Sequence, residues 1–163
     1  MDPARIGVMG DSGGGGVAAG TAILARDNGV AVAQQILIYP MLDDRNTMPD
    51  PHLDGLVTWT HDTNWTGWNA VLGDSIGSDG VSPVTAPGRL TDFAGLPGAY
   101  IEVGDLDIFR DESIAYAQGL YAAGIQCELH VLAGIIHGHD AMSFDLGVTR
   151  RSLANRCRAI GTL

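Results

Sequence analysis

Apolar residues in this chain fall in short runs, each closed by a glycine-, proline- or aspartate-rich break. "ARIGVMG" (4–10) is a compact apolar run with a turn signal behind it, which predicts a buried strand. "GGVAAGTAILARDNG" (15–29) puts Val17, Thr21 and Leu24 at helical spacing, and Asn28-Gly29 ends it. "VAQQILIYP" (32–40) predicts a second strand, stopped by Pro40. Residues 41–60 are polar and proline-broken and predict a long loop. "THDTNWTGWNAVLG" (60–73) predicts a helix with Trp65, Trp68 and Leu72 on one side. Residues 73–97 form a second long loop.

"GAYIEVG" (98–104) predicts a third strand and "DESIAYAQGLYAAG" (111–124) a third helix, with Asp111 placed to cap it. "IQCELHVL" (125–132) alternates Cys127, Leu129 and Val131 against polar residues, the pattern of a fourth strand. "DAMSFDLGVTRRSLANRCRAIG" (140–161) predicts one closing helix. Strict strand–helix alternation calls for an α/β fold of about four parallel strands with helices on both faces. In such a sheet, strand ends that lead into helices share one rim. Ser12, Asp105, Asp107, His137 and His139 all fall there.

Composition narrows the function classes. The 163 residues are 45% apolar and 17% charged, enough for one domain with a real core. A net charge of −10, with basic residues scattered singly, speaks against nucleic acid as a partner. No run approaches a membrane span, and the first ten residues lack the features of a signal peptide. Cys127 and Cys157 share no metal-ligand spacing and are expected as buried free thiols. The expectation is a cytoplasmic chain without metal or cofactor.

The chemistry concentrates at Gly10-Asp11-Ser12-Gly13-Gly14, a G-x-S-x-G run between a strand and a helix. A serine on so tight a turn is strained. Glycines two positions either side are expected to relieve collisions and lift Oγ to the sheet rim. The helix N-terminus faces the site, and the Gly13 amide is free to donate to an oxyanion. A serine hydroxyl needs a base, and the base needs an orienting carboxylate. Ser12, Asp107 and His137 occur in the order Ser, acid, His that this kind of fold uses.

These segments resemble the C-terminal half of an α/β-hydrolase of the bacterial hormone-sensitive-lipase-like esterase family. The family's G-D-S-A-G-G is similar to "GDSGGG", its "LIYPMLDDR" stands at 37–45, and its G-L-P-P-A matches "GLPGA" (95–99). Its Trp-x-x-x-Leu-Gly pattern resembles Trp68–Gly73. Its acid motif D-P-L-R-D-E matches "DIFRDE" (107–112), and its H-G-F matches "HGH" (137–139). The resemblance implies a carboxylesterase acting through an acyl-enzyme on small-molecule esters. It assigns the nucleophile to Ser12, the acid to Asp107, the base to His137 and an oxyanion donor to the Gly13 amide. Three departures stand out: Gly13 for alanine, Ile108-Phe109 for Pro-Leu, and His139 for phenylalanine.

Rival readings start from the same residues. Gly14 and Gly16 could serve a nucleotide-binding turn, but that fold wants an acidic residue ending the second strand, where Tyr39-Pro40 stands. Asp105 and Asp111 compete with Asp107, and His139 competes with His137. His52, His61 and His130 read as surface or strand residues, and Trp59, Trp65 and Trp68 as core and lid packing. Only eleven residues precede Ser12, so the H-G-G-G loop that the family places upstream is absent from residues 1–163. The chain therefore reads as a partial domain with weak activity, its first strand an open edge that favours homo-oligomers. The alternative is an inactive half-domain that oligomerises or complements an upstream half.

Overall fold

A computed structural model describes residues 2, 5–53 and 55–163. Four parallel strands form one sheet in the order β1 (Gly7–Asp11), β2 (Gln34–Ile38), β3 (Gly98–Leu106) and β4 (Cys127–Ile136). Residue 4 of the expected first strand lies outside the described residues. The helices are α1 (Gly13–Asp27), α2 (His61–Leu72), α3 (Arg110–Ala122), the short α4 (His139–Met142) and α5 (Gly147–Gly161).

Side-chain alternation along the inner strands builds two cores. Leu37, Ala99 and Ile101 pack with Ala18, Ala19 and Ile23 of α1 and with Tyr116, Ala117 and Leu120 of α3. Ile36, Ile38 and Tyr100 face the other way, and with Val103 near the strand end they pack with Phe109, Trp68 and Ala159 of α5. Helices thus cover both faces, as the alternation requires. Gln35, fully buried, is satisfied by Pro97 O and the Tyr116 hydroxyl.

The long loops after β2 are pinned rather than slack. Asp44 is completely buried and accepts from Arg89 Nε at 2.5 Å and from the Gly77 amide at 2.7 Å. Glu112 of α3 accepts from the amides of Leu42 and Asp43 and from Asn46 Nδ2. These ties fix the 41–46 segment against the start of α3.

Several expectations need correction. Asp111 does not cap α3: the cap position is Phe109, and the Asp111 side chain pairs with Arg110. The closing helix is two helices, because Ser143 turns extended and Leu146 restarts the chain at α5. β4 runs on to Ile136, past an irregularity at Gly104/Leu106, and Val131 on this outer strand is exposed. Trp68 is buried but Trp65 is half exposed, so the two do not share one packed face. Both thiols are free, but neither is fully buried as expected: Cys127 is half-buried and Cys157 is exposed on α5.

Candidate functional site

The rim after β1 carries a strained turn. Ser12 has φ 52 and ψ −124, a conformation that costs a non-glycine residue about 1–3 kcal/mol. Hydrogen bonds hold it there from both sides. Its N–H donates to Ile38 O, and its carbonyl accepts from the amides of Gly15, Gly16 and Met41. A serine in this cap position ordinarily caps its own helix, but here Oγ makes no such bond. It points instead to His137.

Close approach explains part of the glycine run. A Cβ on Gly10 would lie 2.1 Å from Gly14 O, and one on Gly16 would lie 2.2 Å from Met41 O. Gly14 differs from the expectation: its nearest neighbour would be Asp11 Oδ1 at 3.8 Å, an ordinary contact. The steric need thus falls on Gly10 before the serine and, after it, on the α1 glycines that meet the 40–41 segment.

Three chain-distant side chains meet at this point. Ser12 Oγ is 2.9 Å from His137 Nε2, and His137 Nδ1 is 2.8 Å from Asp107 Oδ2. Asp107 is 1% exposed, and its other oxygen accepts from the Phe109 amide at 2.9 Å. The buried carboxylate accepts a hydrogen bond from Nδ1–H, which leaves Nε2 to accept from the serine hydroxyl. Gly13, the first residue of α1, has no intrahelical acceptor for its amide and is exposed beside Ser12.

The rivals lie elsewhere. Asp105 accepts from the amides of Gly134 and Ile135, so it clips the end of β4 instead of reaching the histidine. His139 is buried, and neither ring nitrogen has a hydrogen-bond partner among the described residues. Burial holds its imidazole below the usual pKa, in the neutral form. Among the described residues, no group of three or more His, Cys, Asp or Glu could hold a metal ion. Among the described residues, no helix is long and apolar enough to cross a membrane.

Sequence reasoning missed the cage around the histidine. Tyr39 and Phe109 stand edge-on to the His137 ring at 4.7 and 5.1 Å between centroids, and Trp59 lies tilted at 6.3 Å. The Thr58 hydroxyl donates to His137 O. Next to Gly13 opens an apolar groove of about 260 Å³, lined by Val17, Leu24, Met41, Trp68 and Val71 among others.

A family model described as the alpha/beta hydrolase fold matches residues 1–141. The chain belongs to that family. Its relatives in the alpha/beta hydrolase fold family include carboxylesterase NlhH of Mycobacterium tuberculosis, 36% identical over 98% of this chain and 52% of that protein. Gibberellin receptor GID1A of Arabidopsis thaliana is 33% identical over 75% of this chain and 36% of the receptor. Among solved structures, a bacterial heroin esterase superposes with a TM-score of 0.89 at 41% identity, over 98% of this chain and 52% of the esterase. The chain spans about half the length of the curated relatives it matches.

Proposed function

We propose that the chain carries a serine carboxylester hydrolase site acting on small-molecule esters through an acyl-enzyme. The carrying observation is the unbroken contact from Ser12 Oγ through His137 to buried Asp107. Ser12 Oγ attacks the ester carbonyl while His137 Nε2 takes its proton. The same imidazolium returns that proton to the leaving alcohol. Asp107 fixes the ring and stabilises its charged form. The Gly13 amide donates to the carbonyl oxygen as negative charge develops there. Water then enters by the same route in reverse and frees the acid. The apolar groove beside Gly13 suits the non-polar part of such a substrate.

Esterase names among the relatives support the reaction class, while the receptor among them makes the contact geometry the deciding support. One oxyanion donor comes from Gly13; the H-G-G-G donor that the resemblance places upstream would come from outside residues 1–163 or from a partner. In the described residues β1 pairs only with β2, and Met9 is half exposed there. That open edge favours the second reading, a half-domain that self-associates or joins an upstream half, in a cytoplasmic setting.

Pre-steady-state hydrolysis of p-nitrophenyl acetate tests the proposal. The expected result is a burst of nitrophenolate approaching one equivalent per chain, absent in Ser12→Ala and in His137→Ala. A linear release that Ser12→Ala leaves unchanged would refute it.

A further inference from the structure

Behind the His137 ring lies a buried charge relay that the proposed hydrolysis does not itself consume. Tyr39, edge-on to that ring, sits in the left-handed region at φ 35. An aromatic residue stays there only when its surroundings over-determine it. Two ties do so. Its backbone N–H donates to Glu102 O at 2.5 Å, and its hydroxyl donates to Asp140 Oδ1 at 2.8 Å.

The ties close on each other. Arg156 Nη1 donates to the other oxygen of Asp140, and Arg156 Nη2 donates to Glu102 Oε1 at 2.6 Å. Glu102 Oε2 in turn accepts from the Tyr100 hydroxyl at 2.8 Å. The guanidinium carbon lies 6.0 Å from the Tyr39 ring centroid, within range of the ring's π face. Glu102 and Arg156 are both buried, so each charge depends on this pairing. Asp140 belongs to α4, just past the turn that bears His137. The loop of contacts therefore grips the ring touching the histidine and the segment carrying it.

We propose that Tyr39, held by the Glu102–Arg156–Asp140 relay, is a positioning residue that fixes the plane of the His137 imidazole. With the plane fixed, Nε2 faces Ser12 and Nδ1 faces Asp107. Tyr39 acts through His137 and touches no reacting atom. The inference rests on the reading of His137 as the base. Burial, with the Asp140 hydrogen bond adding to it, pushes the Tyr39 phenol well above its usual pKa, so it remains a donor around neutral pH.

Tyr39→Phe deletes only the hydroxyl, and Asp140→Asn weakens the same tie while keeping an acceptor oxygen. Two readouts apply to each. One is the rate of fluorophosphonate labelling at Ser12. The other is the downfield proton resonance of His137 Nδ1–H, which reports its bond to Asp107 without turnover. The expected result for Tyr39→Phe is labelling slowed about tenfold, from a misplaced ring, together with loss or broadening of the resonance. Asp140→Asn should fall between Tyr39→Phe and the parent, and it decides the matter if Tyr39→Phe does not fold. Variants that melt earlier but keep the parent's resonance and labelling rate per folded molecule would make Tyr39 merely structural and overturn the inference. A parent that shows the resonance, loses it in Tyr39→Phe, yet never labels at Ser12 would sink the hydrolase reading and leave the positioning role standing. A parent without the resonance would overturn the positioning role itself.

Discussion

Gly10→Ala puts the strain of the elbow to a direct test. The new Cβ would sit 2.1 Å from Gly14 O, 2.3 Å from Gly14 C and 2.8 Å from Gly15 N. Ordinary contact begins at 3.4 Å, so strand and helix start must part by more than an ångström. The obstructing atoms are all backbone, so no side chain can swing aside. Overpacking of this kind costs about 1–3 kcal/mol, and the upper end applies here. For a domain of this size that lowers Tm by about 6–12 °C. The displacement also passes through Ser12, whose Oγ is 2.9 Å from His137 Nε2. An ångström of misplacement there costs roughly 10²-fold in reactivity. Thermal unfolding and fluorophosphonate labelling measure the two effects on one preparation. Gly13→Ala is the stability control: its Cβ meets nothing within 4 Å, so Tm holds or rises slightly. A Gly10→Ala protein with the parent's Tm and labelling rate would refute the reasoning.

Other substitutions probe the surroundings of the site. Folding holds His139 below its ordinary pKa, so the unfolded chain binds more protons and stability falls as pH drops through about 6.5. His139→Phe should flatten that acid loss and stabilise by about 1–3 kcal/mol, the penalty of a buried unpaired polar group, as read by urea denaturation at two pH values. Burial pushes the Glu112 carboxyl up to about 8 against the hydrogen bonds it accepts. The folded chain then holds an extra proton between the ordinary value and 8, so its stability declines as pH rises through that window and levels off above it. In Glu112→Gln that decline should vanish; an unchanged slope would contradict the assignment. Burial raises the Asp44 pKa, but the hydrogen bonds from Arg89 and the Gly77 amide outweigh it and keep the carboxylate ionised. Arg89→Ala strands that charge and should destabilise by about 3–5 kcal/mol, whereas a loss under 1 kcal/mol would mean that water replaces the guanidinium.

Local chemistry made the strand–serine–helix turn readable, because glycine next to a strained serine is a sequence signal in its own right. The four-strand alternation was equally legible, since apolar runs bounded by breakers need no long-range information. Asp107 could be separated from Asp105 and Asp111 only through the family motif; in three dimensions the three carboxylates do different things. What stayed hidden depends on contacts across the chain. The Tyr39 conformation is imposed by Glu102 and Asp140, 63 and 101 positions away, and nothing in "LIYP" encodes it. The full length of β4 depends on Asp105 clipping Gly134 and Ile135, so a run that looked finished at Leu132 continues to the histidine turn. The break between α4 and α5 carries no proline, and Ser143 gives little local warning of it.

Mass-spectrometric mapping of a fluorophosphonate adduct tests most directly whether the three side chains act as one relay. The account predicts a single adduct on Ser12, abolished in Ser12→Ala and slowed by orders of magnitude in His137→Ala and Asp107→Asn. An adduct on another residue, or on Ser12 at a rate indifferent to His137 and Asp107, would contradict it.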